Sequence, residues 1–374
     1  MTREEAAQLA ANLQKAINSH DIAAIMDCYA AEATTVSPVF NMVQGRGAIA
    51  KTWEVIFASF PDWQVHITDV LVDGDRLALL GSNTSIDRKG WFGLPPTGAP
   101  INYRAVILLT FADGKITRDE RVYDLGAVLE HVEKARIDQE LRTAAEVQGA
   151  LLPRAMRVGQ YYEAVGESVA CRAIGGDFFE FLELPSGDFA VALGDVAGKG
   201  PAAALLASML QGMLMSEART SGNPAIILER LNRFLLDRGL GHQFASLVYA
   251  VLSPSGELIY SNAGHNPPLA LGRKGIARLT AGGPVLGIFS DAAFDEERVQ
   301  LSQGDAVIMF TDGVTEACNR QDEELGEGRL IACVKHLHGH APAEIAKSML
   351  ATVREFCQER QQSDDITVAV TRFR

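Results

Sequence analysis

The chain has 374 residues, enough for two or three domains, and its 47% hydrophobic and 22% charged content is that of a globular protein. A net charge of −13 without a basic stripe excludes a protein that grips nucleic acid by its phosphates. No apolar run reaches the roughly 18 residues of a membrane span, and no signal-peptide pattern opens the sequence. The five cysteines (Cys28, Cys171, Cys318, Cys333, Cys357) are scattered and lack CxxC spacing, so a reduced cytoplasmic protein without a membrane partner is expected.

In chain order, Leu9, Leu13, Ala16 and Ile17 predict a helix over residues 4–17. A second is predicted from Ile22 to Ala30, with Ser19 or Asp21 as its cap. Strands are predicted at Gln64–Asp73, Arg76–Ile86, Ile101–Ala112 and Lys115–Asp124, separated by Asp73-Gly74-Asp75 and Asp113-Gly114 turns. Helices followed by a curled antiparallel sheet make an α+β domain. Residues 1–127 resemble the SnoaL-like branch of the nuclear transport factor 2-like superfamily. The residues that carry the likeness are Asn18-Ser19-His20-Asp21, Tyr29-Ala30, Ser37-Pro38, Gly45 with Gly47, and Pro96-Thr97-Gly98. The resemblance implies a cone-shaped α+β barrel around a pocket, which family members use for isomerase or cyclase chemistry, ligand binding or dimerisation. Trp53, Phe57, Phe60, Trp63 and His66 are either core residues or its walls. Enzymes of this kind need a carboxylate in an apolar cavity with a hydrogen-bonding partner. No such pair stands out, so a sensor and dimerisation domain with a small-molecule ligand is expected.

Residues 128–152 carry no glycine or proline before Gly149 and consist of helix formers. Ile137, Leu141, Ala144, Gln148 and Leu151 repeat with the 4-3-4-3 spacing of a helix–helix seam; Leu125, Val128, Val132 and Ala135 repeat in another register. The slip between Ala135 and Ile137 strains a coiled coil locally. A helical linker that pairs two chains into a homodimer is expected, against a monomeric helix packed on the next domain. Pro153 ends it.

From 153 to 374 a single pattern recurs, an aspartate at the end of a strand. Asp177 closes Gly175-Gly176-Asp177, and Asp195 sits in Gly194-Asp195-Val196-Ala197-Gly198-Lys199-Gly200, on either side of the buried-strand run Phe189–Leu193. Asp312 follows the apolar run to Phe310, and Asp364 precedes Ile366–Val370. One aspartate beside glycine merely caps a turn. The repeated pattern suggests a site for hard cations, which prefer oxygen ligands, because crowded carboxylates must be protonated or neutralised.

Five motifs stand in order: Gly-Gly-Asp at 175–177, Gly-Asp-Val-Ala-Gly-Lys-Gly at 194–200, Asn-Ala-Gly-His-Asn-Pro-Pro at 262–268, Thr-Asp-Gly at 311–313 and Asp-Asp-Ile-Thr at 364–367. With them, residues from about 150 to 374 resemble the SpoIIE-like bacterial branch of the metal-dependent protein phosphatases (PPM, protein phosphatase 2C-like). The resemblance implies an α/β/β/α sandwich holding two Mn²⁺ or Mg²⁺ ions between its sheets. Asp195 would bridge both, Val196 would offer its carbonyl, Asp312 and Asp364 would complete one ion, and Asp177 would serve the other. A serine/threonine phosphoprotein phosphatase follows, its substrate a STAS-type anti-sigma-factor antagonist in stress-response partner switching. Glu180 departs from the aspartate common at its position; His265 and Arg172 are candidates near the phosphate. Ala197-Gly198-Lys199-Gly200 lacks GxxxxGK[ST], so ATP is not expected, and His336-Leu337-His338-Gly339-His340 reads as loop histidines. Two rival readings remain: a catalytically silent phosphoprotein-binding module, and an isomerase or cyclase residing in residues 1–127.

Overall fold

The computed structural model describes residues 2–90, 95–239, 243–358, 360 and 362–374. It divides into two compact units, one up to Glu140 and one from Leu141, with the boundary inside a single helix. No helix among the described residues is long and apolar enough to cross a membrane.

In the first unit, α1 (Arg3–Asn18) starts on a capping box formed by Thr2 and Glu5, and buries Ala6, Ala10, Leu13, Ala16 and Ile17. Asp21 caps α2 (Ile22–Asp27) by accepting from the Ala24 amide at 2.9 Å. That helix is shorter than the sequence suggested: the chain is already a strand at Tyr29. Strand β1 (Tyr29–Ser37) buries Tyr29, Ala33, Thr35 and Ser37, and its β-branched run favours the extended form. Hairpin partner β2 (Asn41–Gln44) and helix α3 (Arg46–Ser59) follow, neither of them anticipated. Then come β3 (Gln64–Asp73), β4 (Arg76–Ile86), β5 (Pro100–Ala112) and β6 (Lys115–Val122), close to expectation. The sheet runs β2-β1-β6-β5-β4-β3, with only β1 and β6 parallel.

A charged network lies inside this unit. Asp119, 1% exposed, accepts from Tyr29 Oη at 2.7 Å, from Thr35 Oγ1 at 3.3 Å and from Arg121 Nη2 at 2.8 Å. The Arg121 guanidinium in turn lies 4.5 Å from the Trp53 ring centre.

Helix α4 (Leu125–Leu151) covers the expected linker as one uninterrupted helix. Val128 and Val132 are buried in the first unit's core, whereas Ile137, Val147 and Leu151 are exposed. Its amphipathic stripe is thus split, used at the start and open further on.

The second unit stacks four layers. One sheet contains β8 (Tyr162–Val169), β13 (Leu269–Gly272), β17 (Ala306–Phe310) and β18 (Ile366–Phe373), with β7 (Met156–Val158) and β14 (Gly275–Arg278) at its edges. The other is built on β9 (Phe178–Glu183), β10 (Phe189–Val196), β11 (Ala245–Leu252) and β12 (Glu257–Ala263), with β15 (Gly282–Gly283) and β16 (Glu297–Gln300) beside β12. Phe179, Phe181, Phe189, Tyr260, Val307 and Met309 fill the space between sheets. Helices α5 (Pro201–Ala218) and α6 (Pro224–Arg238) cover the second sheet. Helices α8 (Gly326–Val334) and α9 (Pro342–Cys357) cover the first, and the four-residue α7 (Asp312–Thr315) links β17 to them. Central strands β10 and β17 are buried on both faces, which explains their apolar runs, and β18 is buried likewise although Thr367 and Thr371 interrupt its apolar residues.

Removing one partner of the buried ion pair tests how far it supports the first unit. Asp119→Ala should cost that unit about 3–5 kcal/mol, because Arg121 is then left inside without its counter-charge. A urea titration followed by circular dichroism reads the loss.

Candidate metal centre

Two of the four aspartates come from each sheet. Asp177 immediately precedes β9, and Asp195 lies near the end of the adjacent antiparallel strand β10. Asp312 opens α7 directly after β17, and Asp364 stands just before β18, the strand paired with β17. Asp195, Val196, Asp312 and Asp364 line one cleft of about 290 Å³. Asp177, 6% exposed, lies off the cleft wall yet within hydrogen-bonding reach of Asp195.

The chain crosses close to itself here, and glycine permits it. The Val196 amide donates to the Gly176 carbonyl at 3.3 Å. A Cβ on Gly176 would meet the Val196 carbonyl oxygen at 2.7 Å, and one on Gly175 would meet Asp365 Oδ2 at 2.2 Å. These two positions therefore need glycine for close approach.

Supporting residues fix the acids, and the sequence reading passed over them. Asp365, 5% exposed, accepts from the Cys171 and Gly176 amides, both at 2.8 Å, and so holds the loop that carries Asp177. Thr311 Oγ1 donates to Asp177 Oδ2 at 2.8 Å while accepting from the Thr367 amide at 3.0 Å. Gln148, near the end of α4, donates to the Gly175 carbonyl at 2.7 Å and accepts from its amide at 3.2 Å. Gln211 on α5 joins the Leu151 carbonyl at 3.0 Å to Glu180 Oε2 at 2.9 Å. Glu180 is thus buried and occupied within β9.

Electrostatics set the character of the cleft. Burial first, and Asp195 next, push the Asp177 carboxyl well above its usual range. Asp195 is pushed up to about 6, by burial and then by Asp312 and Asp364. Asp312 is raised by burial and by Asp364. Lys199 is the one cationic side chain among the described residues lining the cleft; it reaches Asp364 Oδ2 at 2.9 Å and the Ser363 carbonyl at 2.5 Å. One ammonium against this many carboxylates leaves a deficit of positive charge. With the Val196 carbonyl alongside, the all-oxygen donor set fits hard divalent cations.

The other candidates fall outside that role. The Cys171 thiol lies beside Asp364 and Asp365, where burial and Asp365 push it up to about 11, and a soft sulfur is a poor ligand for the hard cations that the oxygen set suits. His265 is buried; Asn262 brackets its backbone, and its Nδ1 lies 2.6 Å from Ser246 Oγ. Arg172 is exposed. His338 pairs with Asp305 at 2.9 Å while His336 and His340 are exposed, so the histidine tract is not a metal site.

Comparisons with known proteins follow the same division. The family model of the SnoaL-like domain matches residues 10–119, and that of Stage II sporulation protein E (SpoIIE) matches residues 185–374, more than half of the chain. Phosphoserine phosphatase RsbU of Bacillus subtilis (strain 168) is 29% identical over 239 residues, spanning 63% of this chain and 70% of that protein. Protein IcfG of Synechocystis sp. (strain ATCC 27184 / PCC 6803 / Kazusa) is 28% identical over 221 residues, spanning 51% of this chain and 35% of that protein. Among solved structures, the SiaA-PP2C domain of Pseudomonas aeruginosa shares the fold, with a TM-score of 0.57 at 21% identity over 65% of this chain and 99% of that one. The chain therefore belongs to the SpoIIE family, with a SnoaL-like domain ahead of the region that defines it.

Proposed function

We propose that the second unit removes phosphate from phosphoserine or phosphothreonine in a protein substrate with the help of two divalent cations, under control of the first unit. The enzyme class itself, a protein serine/threonine phosphatase, accords with membership of the SpoIIE family and with likeness to a phosphoserine phosphatase. The observation that carries the chemistry is the convergence of Asp177, Asp195, Asp312 and Asp364 in a region too acidic to stay fully ionised alone.

In this reading Asp195, the Val196 carbonyl, Asp312, Asp364 and Asp177 would together hold two Mn²⁺ or Mg²⁺ ions. Bound there, the ions would supply a water of lowered pKa and take up charge on the phosphoryl oxygens. Thr311 donates to Asp177 Oδ2 and so favours its ionised form, against the burial and the Asp195 charge that oppose it. Asp365 fixes the loop that delivers it. Lys199, partly exposed at the cleft, gives an incoming phosphate dianion its one protein cation among the described lining residues. His265 is not the proton donor at neutral pH, since burial lowers its pKa to about 4 and leaves it neutral. The substrate we propose is a phosphorylated STAS-type anti-sigma-factor antagonist in partner switching, and the enzyme a homodimer joined through the exposed part of α4. The rival of a silent binding module is the weaker one, because no metal-ligand position has been lost.

With Mn²⁺ and p-nitrophenyl phosphate or a phosphoserine peptide, the protein should release phosphate and Asp195→Ala should abolish the release. Thr311→Val should leave a folded enzyme needing roughly 10–100-fold more metal for half-maximal rate. Undiminished activity in both variants would exclude the assignment.

The neutral state of His265 carries a pH signature. Between pH 6.5 and about 4 the unfolded imidazole takes up a proton that the folded one refuses, so the contribution of His265 to stability falls as pH drops through that window. That contribution is lost to the extent of about 2 kcal/mol by pH 5. Asp177 and Asp195, raised in the folded state, act in the opposite sense, so the readout is the difference: from pH 7.5 to 5 the urea midpoint of His265→Gln should move in the stabilising direction relative to that of the wild type.

Control by the first unit is tested with residues 141–374, which retain Gln148. Their phosphatase rate should differ at least threefold from that of the full chain. Light scattering should give a dimer for the full chain and a monomer for residues 153–374, which lack α4 and with it Ile137, Val147 and Leu151.

A further inference from the structure

The acidic cleft of the second unit runs on into an apolar rim. Asp195 on β10 pairs with Ser246 on β11, and an antiparallel bridge between Ala245 and Leu286 lays the segment 285–287 alongside residues 244–246. Phe244, Ser246 and Val285 line the cleft together with Asp195. Past Gly287, which turns at a φ of 90°, Ile288 and Phe289 are 48% and 49% exposed, and Phe244 is 36% exposed. One exposed apolar residue is ordinary, but several side by side at the mouth of a cleft mark a surface that something covers.

This rim is built rather than loose. Asn232 on α6, only 4% exposed, accepts from the Gly287 amide at 2.8 Å and donates to the Phe289 carbonyl at 2.9 Å. A buried side chain thus fixes the loop backbone while its two largest side chains stay in water. The scale suits a peptide. Phe244 stands two residues before Ser246, about 7 Å of extended backbone, and an extended substrate covers that distance in two residues of its own. A side chain two or three residues from a phosphoserine seated at the aspartates therefore reaches the rim.

We propose that Phe244, Val285, Ile288 and Phe289 form a docking shelf for the protein chain of the phosphorylated substrate, taking large apolar side chains that flank the phosphoserine or phosphothreonine. The inference rests on the phosphatase reading above and extends it from the phosphate to the residues around it. Continuity names the occupant: Phe244 and Val285 are walls of the cleft itself, so a protein chain that delivers its phosphate there passes over them. The acids act on the phosphate, which all phosphoproteins share, and the shelf selects among them.

The test uses the full chain with Mn²⁺ and two fluorescein-labelled peptides in which a methylene phosphonate stands in for the phosphoserine ester, so that binding is read without turnover. One peptide carries leucine at the second and third positions on either side of the phosphonate, and the other carries serine there. By anisotropy the wild type should bind the leucine peptide at least tenfold more tightly. Ile288→Ser/Phe289→Ser should bring that ratio below about threefold. It should leave the serine peptide, and turnover of p-nitrophenyl phosphate, which has no flanking chain, within twofold of the wild type. Equal affinity of the wild type for the two peptides, or an undiminished ratio in the variant, would overturn the proposal. So would a change from dimer to monomer in the variant by light scattering, which would give the shelf to a second copy of this chain. Should the double variant misfold, Phe289→Ala alone should cost the leucine peptide at least threefold, and an unchanged affinity would count against the shelf. Hydrolysis of p-nitrophenyl phosphate by the wild type reports separately on the phosphatase reading, because the phosphonates bind without being cleaved.

Discussion

Carboxylates gathered in one water-poor cleft repel one another, and the second unit is arranged around tolerating that repulsion. Strands from both sheets deliver Asp177, Asp195, Asp312 and Asp364 to one end of the sandwich. Burial then makes ionisation of Asp177 and Asp195 unfavourable. A single lysine offsets only part of the charge. The stable answers are protons or divalent ions. A site that must choose between them is suited to divalent cations, which would tie catalytic competence to the metal supply.

The precision of that cleft comes from uncharged neighbours as much as from the acids. Thr311 joins Asp177 to the strand pair β17 and β18 through two hydrogen bonds. Asp365 accepts from two backbone amides and so works as a brace. Adjacent in sequence, Asp364 and Asp365 thus face different tasks, one turned to the cleft with Lys199 and the other turned inward.

Much of this was legible from the sequence, for a physical reason. An aspartate beside glycine at the end of an apolar run is a local pattern; three such motifs, in order with the 262–268 and 364–367 motifs, pointed to the strands and to the acids that the fold gathers at one end. The braces are not local: Thr311 lies 134 residues from Asp177, and Asp365 lies 189 from Gly176. Nothing in the immediate neighbourhood of either residue announces its partner. In the first unit the strands from Gln64 onward were clear because turns with Asp-Gly punctuate them. The pair Tyr29-Ala30 suits helix or strand alike, and the burial of Tyr29 with its hydrogen bond to Asp119 and its place in the sheet make it a strand. Helix α3 was hidden because Trp53, Val55, Ile56 and Phe57 crowd apolar groups around it, Trp53 buried and Val55 exposed, which blurs the 3.6-residue rhythm.

One contact has a bearing on how such proteins can be rebuilt. The amide side chain of Gln148 grips both backbone groups of Gly175 while belonging, by sequence, to the helix that precedes the sandwich. The last turns of that helix are in effect part of the catalytic module. A graft that exchanges one sensory module for another keeps the enzyme whole only if its seam lies upstream of Gln148, in the solvent-facing stretch near Ile137, and not at the proline where the helix stops.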